Sequence, residues 1–157
     1  MKVVVQRVKT AKVTRQVDNK VAGEIKNGLF ILLGIKKGDT KKQADELVNK
    51  ILKLRVMSDE KDKQSLASQG PGKMNLSVVD TKSEILLVSQ FTLYANTKDG
   101  NRPSFIDAEE PVKAKELYEY MINLLKESGL NIQTGSFGDY MKIETELDGP
   151  VTIVIEN

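Results

Sequence analysis

The stretch Ile85-Leu86-Leu87-Val88-Ser89-Gln90-Phe91-Thr92-Leu93-Tyr94 joins an apolar run to a group of small polar side chains. Four consecutive apolar residues bounded by polar ones are typical of a buried strand. This strand would deliver the hydroxyls of Ser89 and Thr92 and the amide of Gln90 to its end, beside a polar loop at 95–104. A strand end next to a loop is a common place for a binding or reaction site. The same hydroxyls could instead bond only to nearby backbone groups.

Outward from this strand, the chain shows a series of short strands and two helices. One helix, capped by Asp39 or Thr40, runs to about Leu54, and a second runs from Pro111 to Gly129. Both have apolar residues at helical spacing, namely Ala44, Leu47, Val48, Ile51 and Leu52 in the first and Ala114, Leu117, Tyr118, Met121, Leu124 and Leu125 in the second. Strands are predicted from alternating or continuous apolar residues at 2–9, 11–17, 20–26, 29–35, 55–57, 76–79, 85–88, 130–134, 140–145 and 151–155. This order predicts one α/β domain over 1–157, with a mixed, largely antiparallel, curled sheet packed against two main helices.

The composition is that of a folded domain with room for a core. The 157 residues are 39% apolar and 29% charged. No apolar run approaches the roughly 20 residues of a membrane span. The opening residues 1–7 read as a strand and not as a signal peptide, so we expect a cytoplasmic protein with no membrane partner.

The net charge of +2 is weak evidence for a polyanionic partner. Its distribution says a little more, because four lysines flank one loop and two basic residues lie in another. These could contact phosphates, although solvated lysines that keep the protein soluble are the plainer explanation for each one. The basic residues in question are Lys36, Lys37, Lys41, Lys42, Lys98 and Arg102.

The absence of cysteine and histidine excludes more chemistry than any motif adds. Disulfides, thiolate nucleophiles, zinc-finger sites and any histidine general base are impossible. We predict no metal and no cofactor. An enzyme with this sequence would have to use hydroxyls, lysine, tyrosine, carboxylates, backbone amides or a group that the substrate brings.

Several short motifs together resemble the D-aminoacyl-tRNA deacylase family. The similarity extends over nearly the whole chain, in the order in which that family has these motifs. The matching strings are Val5-Gln6-Arg7-Val8, Lys73-Met74-Asn75-Leu76-Ser77, Ser89-Gln90-Phe91-Thr92-Leu93-Tyr94, Gly100-Asn101-Arg102-Pro103-Ser104-Phe105, Phe137-Gly138 and Gly149-Pro150-Val151-Thr152.

The resemblance implies a homodimer that hydrolyses the ester between a D-amino acid, or glycine mischarged on tRNA-Ala, and the terminal ribose of tRNA. It implies a cis bond at Gly149-Pro150, with this pair reaching into the pocket of the partner subunit. Glycine allows close backbone approach, and carbonyls there could accept hydrogen bonds from the substrate ammonium. They would leave no room for an L side chain, which is selection by steric rejection. A plain turn is the alternative role for Gly149-Pro150.

The family's catalytic motif falls on Ser89, Gln90, Phe91 and Thr92. Thr92 could be a nucleophile, but no histidine is present to act as its base. We prefer a role for backbone amides around Phe91 and Thr92, with Gln90, in holding the ester carbonyl and its developing negative charge. The 2′-hydroxyl of the substrate ribose could then help to activate water.

The resemblance assigns binding roles to five further residues. Arg7 would hold the Gly149-Pro150 loop through its guanidinium, unless it is an ordinary charge at a sheet edge. Ala108 would offer a backbone contact near the substrate amine. The terminal adenine would be received by Phe137, Gly138 and Met141, with core packing as the alternative for the two larger side chains.

Two departures from the family pattern stand out. Leu147 occupies a position where the family usually has asparagine, and Ser65 to Gly72 is longer than usual. The main alternative function is a non-catalytic tRNA-binding or synthetase-associated module. A small-molecule esterase acting without RNA is less attractive in the absence of histidine. We expect the acceptor end of aminoacyl-tRNA as the partner, and no DNA.

Overall fold

The computed structural model describes residues 1–59, 73–98 and 100–157. Two helices, α1 (Lys41–Lys53) and α2 (Pro111–Lys126), and a short 3₁₀ turn, Phe91–Tyr94, accompany the strands. The strands are β1 (Lys2–Arg15), β2 (Val21–Ile25), β3 (Gly28–Gly34), β4 (Arg55–Ser58), β5 (Met74–Ser77), β6 (Glu84–Ser89), β7 (Ile132–Thr134) and β8 (Met141–Glu156).

The main sheet is mixed, as predicted. Its order is β2-β1-β3-β6-β7, and β8 pairs with the other side of β1. The pairs β1–β2, β1–β3 and β1–β8 are antiparallel, whereas β3–β6 and β6–β7 are parallel. Strands β4 and β5 form a separate antiparallel pair. The predicted α/β class with a largely antiparallel sheet and two main helices is confirmed.

The sheet curls until strands β2 and β7 nearly meet. A Cβ atom placed on Gly23 of β2 would lie 2.5 Å from the carbonyl oxygen of Thr134 in β7. Glycine is therefore required for this close approach of two backbones. The curl encloses a small apolar cluster on the inner face of the sheet, comprising Val8, Ala11, Val13, Ile25, Phe30, Leu86 and Val88.

Strand β3 is buried on both faces, which explains its nearly continuous apolar sequence. Leu29, Ile31 and Leu33 face the larger core shared with the helices, whereas Phe30 faces the inner cluster. The helices contribute the predicted apolar positions to the larger core. These include Ala44, Leu47, Val48 and Ile51 from α1 and Leu117, Tyr118, Met121 and Leu125 from α2.

The predicted helix starts are confirmed. The Thr40 backbone N–H donates to Gln43 Oε1 at 3.0 Å, part of a capping box that opens α1. Pro111 is the first residue of α2, where its missing N–H costs nothing. Neither these helices nor any other in the described part of the chain is long and apolar enough to cross a membrane.

Several strand boundaries were predicted wrongly. The segments 2–9 and 11–17 are one strand, β1, because β8 pairs with it along nearly its whole length. The segments 140–145 and 151–155 are likewise one strand, β8, which continues through Gly149-Pro150 as a bulge. Val78 and Val79 lie in a turn after β5. The long stretch Ser65 to Gly72 lies within 60–72, outside the described residues.

Candidate active site

Three parallel strands end at the same edge of the sheet. Leu33 of β3 pairs with Ser89 of β6, and Leu87 of β6 pairs with Thr134 of β7. The segments that follow these strands, 35–40, 90–94 and 135–140, therefore leave the sheet side by side. We call this the carboxyl edge; ligands commonly bind at such edges in sheets with parallel strands.

The Ser89–Thr92 turn is held at the carboxyl edge mainly by backbone hydrogen bonds. The Gln90 N–H donates to the Leu33 carbonyl at 2.7 Å, and the Leu93 N–H donates to the Gln90 carbonyl at 3.2 Å. The Gln90 side-chain amide donates to Thr92 Oγ1. Phe91 and Thr92 open the 3₁₀ turn, so their N–H groups have no acceptor within it. Two such amides on an exposed turn can stabilise negative charge on a ligand oxygen.

An aromatic pair extends this turn toward the next loop. The exposed ring of Phe91 packs edge-on against Phe105, with 5.0 Å between centroids. The Phe105 carbonyl accepts the Ala108 N–H at 3.0 Å. Ala108 in turn forms a bridge to Lys36, which follows β3. The structure thus places Ala108 at the carboxyl edge and adds Phe105, to which the sequence assigned no role.

The loop after β7 forms the other flank of the carboxyl edge. The Phe137 ring is half-buried and lies 5.7 Å from the Tyr118 ring in α2, so it packs against the core while remaining at the edge. Gly138 is exposed with φ of +79°, and no atom lies within 4 Å of the position of its absent Cβ. Met141 is half-buried against the inner apolar cluster. Phe137 and Met141 therefore both have packing partners.

Short-range polar contacts fix the shape of this loop. The Ser136 hydroxyl donates to Asp139 Oδ2 at 2.5 Å, and the Ser136 N–H approaches Met141 Sδ at 3.2 Å. Asp139 also forms an ion pair with Arg15 Nε at 3.1 Å. None of these contacts was predictable from the local sequence.

Gly149 and Pro150 lie in a bulge on a different part of the sheet. Gln6 pairs with Thr152 and Val8 with Leu147, so five steps along β8 face two steps along β1. The extra residues project as an exposed bulge. Within it, the Gly149-Pro150 peptide bond is cis, and Gly149 has φ of +127°, a conformation that L side chains rarely adopt.

Arg7 supports this bulge from inside the protein. Its side chain is only 4% exposed, and its Nε lies 2.8 Å from Asp148 Oδ2 and 3.3 Å from the Asp148 carbonyl. Its Nη1 donates to the Val56 carbonyl at 2.8 Å and to Ser58 Oγ at 3.0 Å. A guanidinium at this depth requires a charged partner. Asp148, to which the sequence assigned no role, is that partner.

Within one chain, the predicted catalytic residues of the Ser89–Thr92 turn lie far from Arg7 and the Gly149-Pro150 bulge. Arg7 pairs with Leu29 at the beginning of β3, whereas Ser89 pairs with Leu33 near its end. The positions of Leu29 and Leu33 are four residues apart along β3, a distance of about 13 Å. The bulge is also three strands away from β6, across β3 and β1 to β8. We call the region around Arg7 and Gly149 the Arg7 bulge.

A cavity of about 380 Å³ lies beside the Arg7 bulge. Its lining combines basic, acidic and uncharged polar side chains with one methionine, and these come from five separate parts of the chain. The lining residues are Arg7, Lys9, Asn27, Met57, Ser58, Thr81 and Asp148.

The Ser89–Thr92 turn itself contains no acidic or basic side chain. Tyr94 follows the turn, but its hydroxyl is buried, and burial raises the pKa of this phenol far above neutrality. The Lys2 ammonium lies 5.0 Å from the centre of its ring. Among the described residues, no group of three or more acidic side chains could hold a metal ion. The chemistry of the turn is therefore that of amides and hydroxyls.

Comparison with known proteins identifies the family and supports the fold. Residues 4–156 match the model of a family described as D-Tyr-tRNA(Tyr) deacylase. A D-aminoacyl-tRNA deacylase from Aquifex aeolicus is 52% identical, over 100% of this chain and 98% of the relative. A solved structure of the c-Myc DNA unwinding element binding protein is 39% identical with a TM-score of 0.87, covering 100% and 99% of the two chains.

A second solved structure, a probable eukaryotic D-amino acid tRNA deacylase, has a TM-score of 0.79 at 14% identity, covering 98% of this chain and 97% of that one. That level of identity supports the fold alone. The fold and the family match define a class of hydrolases that act on ester bonds. The chain belongs to the D-Tyr-tRNA(Tyr) deacylase family, and the predictions of an enzyme and of this family are confirmed.

Proposed function

We propose that this protein hydrolyses the ester bond of D-aminoacyl-tRNA, and of glycine mischarged on tRNA-Ala, as a homodimer in the cytoplasm. In each active site, Gly149-Pro150 of one subunit faces the Ser89–Thr92 turn of the other. The observation that carries this proposal is the separation of the two groups in a single chain, about 13 Å along the strands and three strands apart. A second copy supplies the missing half of each site.

The outer strand offers a surface for that second copy. Within the described chain, β8 pairs with β1 alone, which leaves the other edge of a 16-residue strand unpaired. Its exposed apolar side chains include Ile143, Leu147 and Val154, which are 38%, 43% and 62% exposed. A long edge strand with exposed apolar residues is a favourable surface for association. A two-fold axis near this strand would present each bulge to the partner.

The reaction itself needs no covalent enzyme intermediate. The Phe91 and Thr92 amides and the Gln90 side chain bind the ester carbonyl oxygen and stabilise its negative charge as water adds to the carbonyl carbon. The bond from that carbon to the ribose oxygen then breaks, releasing tRNA with a free hydroxyl and the D-amino acid. The neighbouring ribose 2′-hydroxyl assists in moving the proton from the attacking water.

Chirality is selected by exclusion. Carbonyls of Gly149 and Pro150 from the partner subunit accept hydrogen bonds from the substrate ammonium. An L side chain would then point into this backbone, whereas a D side chain would point away and glycine has none. Arg7, through Asp148, fixes the direction of the bulge. The terminal adenine lies against Phe137, Gly138 and Met141 on the other flank of the turn.

The first test is deacylation of matched D- and L-tyrosyl-tRNA by the purified protein. Cleavage of the D-ester with the L-ester left intact supports both the reaction and the chiral filter. Cleavage of both would contradict the filter, with Leu147 the first position to replace by asparagine. Cleavage of neither by folded protein would favour the non-catalytic tRNA-binding module.

Subunit mixing tests the shared site directly. Gln90→Ala removes the side-chain amide that binds the ester oxygen, and Pro150→Ala alters the bulge, so each homodimer is expected to be impaired at both sites. In a mixed dimer, one of the two sites combines an intact turn with an intact bulge. Mixing equal amounts should therefore restore about a quarter of wild-type activity, since isologous dimers exchange equivalent surfaces. A site contained within one chain would show no recovery.

A further inference from the structure

A concentrated group of positive charge lies beside the candidate active site. Lys36, Lys37, Lys41 and Lys42, called here the lysine cluster, all have exposed side chains. Within residues 1–59, 73–98 and 100–157, none of these four ammonium groups forms an ion pair. Other lysines, such as Lys113 and Lys142, do form one.

The acidic residue inside the cluster does not neutralise it. Asp39 is buried, accepts the Lys36 backbone N–H at 2.6 Å and pairs with the Met1 ammonium at 3.0 Å. Its carboxylate is thus used within the fold. The exposed surface of this segment is cationic.

The position of two of these lysines disfavours the helix they belong to. Lys41 and Lys42 open α1, and its first turn contains no acidic residue. The beginning of a helix carries partial positive charge, so cations there are destabilising. Lys50 and Lys53, in the last turn of the same helix, have the opposite, favourable placement. Helix stability therefore gives no reason for Lys42, whereas the Lys41 ammonium has a contact with the Tyr120 ring of α2.

The cluster is held in place against the active-site turn. It follows β3, whose residue Leu33 pairs with Ser89, so the cluster and the Ser89–Thr92 turn leave adjacent parallel strands. The Lys37 N–H donates to the Asp107 carbonyl at 2.9 Å, and the Gly38 N–H donates to Glu109 Oε2 at 3.2 Å. These bonds fix its backbone at the carboxyl edge.

The loop that precedes Phe105 also carries positively charged side chains. Lys98 and Arg102 are exposed there, and the Asn96–Ser104 bridge closes this loop with backbone bonds of 2.7 and 2.9 Å. The carboxyl edge therefore carries two basic segments around the two exposed aromatic rings.

We propose that the lysine cluster binds phosphates of the tRNA beyond its terminal adenosine and so holds the acceptor end over the Ser89–Thr92 turn. This inference rests on the proposed function, because it assumes that the ester lies at that turn. Lysines that neutralise phosphates release counterions, which makes binding strong at low salt and steeply salt-dependent. An RNA backbone also supplies the anions that the first turn of α1 lacks.

The test compares two variants, each with two lysines replaced by glutamate, in α1 and the segment that precedes it. Lys37→Glu with Lys42→Glu removes two cluster charges and spares Lys41, whose ammonium lies 4.9 Å from the centre of the Tyr120 ring. Lys50→Glu with Lys53→Glu is the control, with the same change of charge at the far end of α1. Binding of uncharged tRNA is measured from 50 to 200 mM salt, and the unfolding midpoint of each variant is recorded.

The cluster variant should bind tRNA at least about tenfold more weakly at 50 mM salt, with a salt slope shallower by about 1 to 2. With D-tyrosyl-tRNA the loss should appear in KM and not in kcat. Its unfolding temperature should not fall, since Lys42→Glu places an anion at the helix start, whereas the control should be less stable yet bind normally. Equal tRNA binding by the two variants would overturn the proposal.

Two further outcomes separate this inference from the proposed function. Weaker tRNA binding by the cluster variant supports the cluster even if the wild type fails to cleave D-tyrosyl-tRNA, which would defeat only the deacylase proposal. Equal wild-type affinity for a DNA duplex of acceptor-stem length, with the same loss in the variant, would indicate a general polyanion surface and overturn the assignment to tRNA.

Discussion

The carboxyl edge and the Arg7 bulge are built in different ways. The Ser89–Thr92 turn follows a buried strand, and backbone bonds such as that from Gln90 to Leu33 determine its shape. The Gly149-Pro150 segment sits on an exposed strand, and the buried side chain of Arg7 supports it. The turn should therefore keep its backbone shape when a single side chain is lost, even one that contacts the ester, whereas the shape of the bulge should depend strongly on Arg7.

Removing the Arg7 side chain should have the largest effect. Arg7→Ala leaves the Asp148 carboxylate and the Val56 carbonyl without their partner, at a cost of about 3 kcal/mol of unfolding free energy. Deacylation and D/L discrimination should fall together because the bulge loses its direction. Urea unfolding and paired D- and L-tyrosyl-tRNA assays measure both.

Arg15→Ala is the matched control for Arg7. Arg15 pairs with Asp18 and Asp139, but its side chain is 37% exposed, so this change should cost less than about 1 kcal/mol. Similar losses for the two variants would contradict the special dependence of the bulge on Arg7.

Replacing Gly149 should have the next largest effect. At φ of +127° a side chain is strained, and its Cβ would lie 2.9 Å from the Val151 nitrogen. Gly149→Ala should therefore cost about 2 kcal/mol and lower activity on the D-ester. Gly138→Ala at the carboxyl edge also has positive φ but meets no atom within 4 Å, so its cost should be smaller. Equal costs would mean that crowding at the bulge has no effect.

The fold was predictable where the apolar pattern is regular. The 3.6-residue spacing identified both helices, and the continuous run at 29–35 identified the central strand because both of its faces are covered. The lengths of β1 and β8 were not predictable. Gly149-Pro150 resembles a strand break in sequence, but pairing with β1 on both sides of it keeps β8 continuous.

The two parts of the candidate site also differed in how far the sequence could predict them. A strand end rich in hydroxyls can be recognised from a few consecutive residues. Ser89 to Thr92 could therefore be predicted from their chemistry and from the family motif. Asp148 could not, because its partner Arg7 lies 141 residues away and the depth of that arginine is a property of the fold. Phe105 was missed because its packing on Phe91 depends on how an irregular loop folds back.

The aromatic pair allows a test of the carboxyl edge. Phe105→Ala removes the edge-on contact with Phe91 and should cost about 1 kcal/mol of unfolding free energy. Both rings are partly exposed, so the core should be unaffected. Thermal unfolding measures the cost, and Phe105→Leu should recover part of it. A loss as large as that of Arg7→Ala would show that the turn depends on a side chain after all.

Asp80, whose neighbour Thr81 lines the cavity beside the Arg7 bulge, should contribute to acid sensitivity. The Asp80 carboxylate accepts the Ser77 hydroxyl at 2.7 Å and the Ser77 N–H at 2.8 Å, and these bonds hold its pKa below 3.8. A lowered folded-state pKa gives stability that is present above pH 3.8 and is lost as the pH falls through the folded-state value. Asp80→Asn should therefore lose less stability than the wild type between pH 5 and pH 2.5, as measured by urea midpoints. Parallel pH profiles would contradict this.

The Thr92 side chain should matter least, although it is the most obvious nucleophile. Its hydroxyl is exposed and accepts a bond from the Gln90 amide, so Thr92→Ala should change stability by less than about 0.5 kcal/mol. Single-turnover deacylation of D-tyrosyl-tRNA should stay within about tenfold of wild type, because the Phe91 and Thr92 amides that hold the ester remain. Complete loss of turnover in a folded variant that still binds tRNA would instead favour a nucleophilic Thr92. It would also mean that the turn, like the bulge, depends on one side chain.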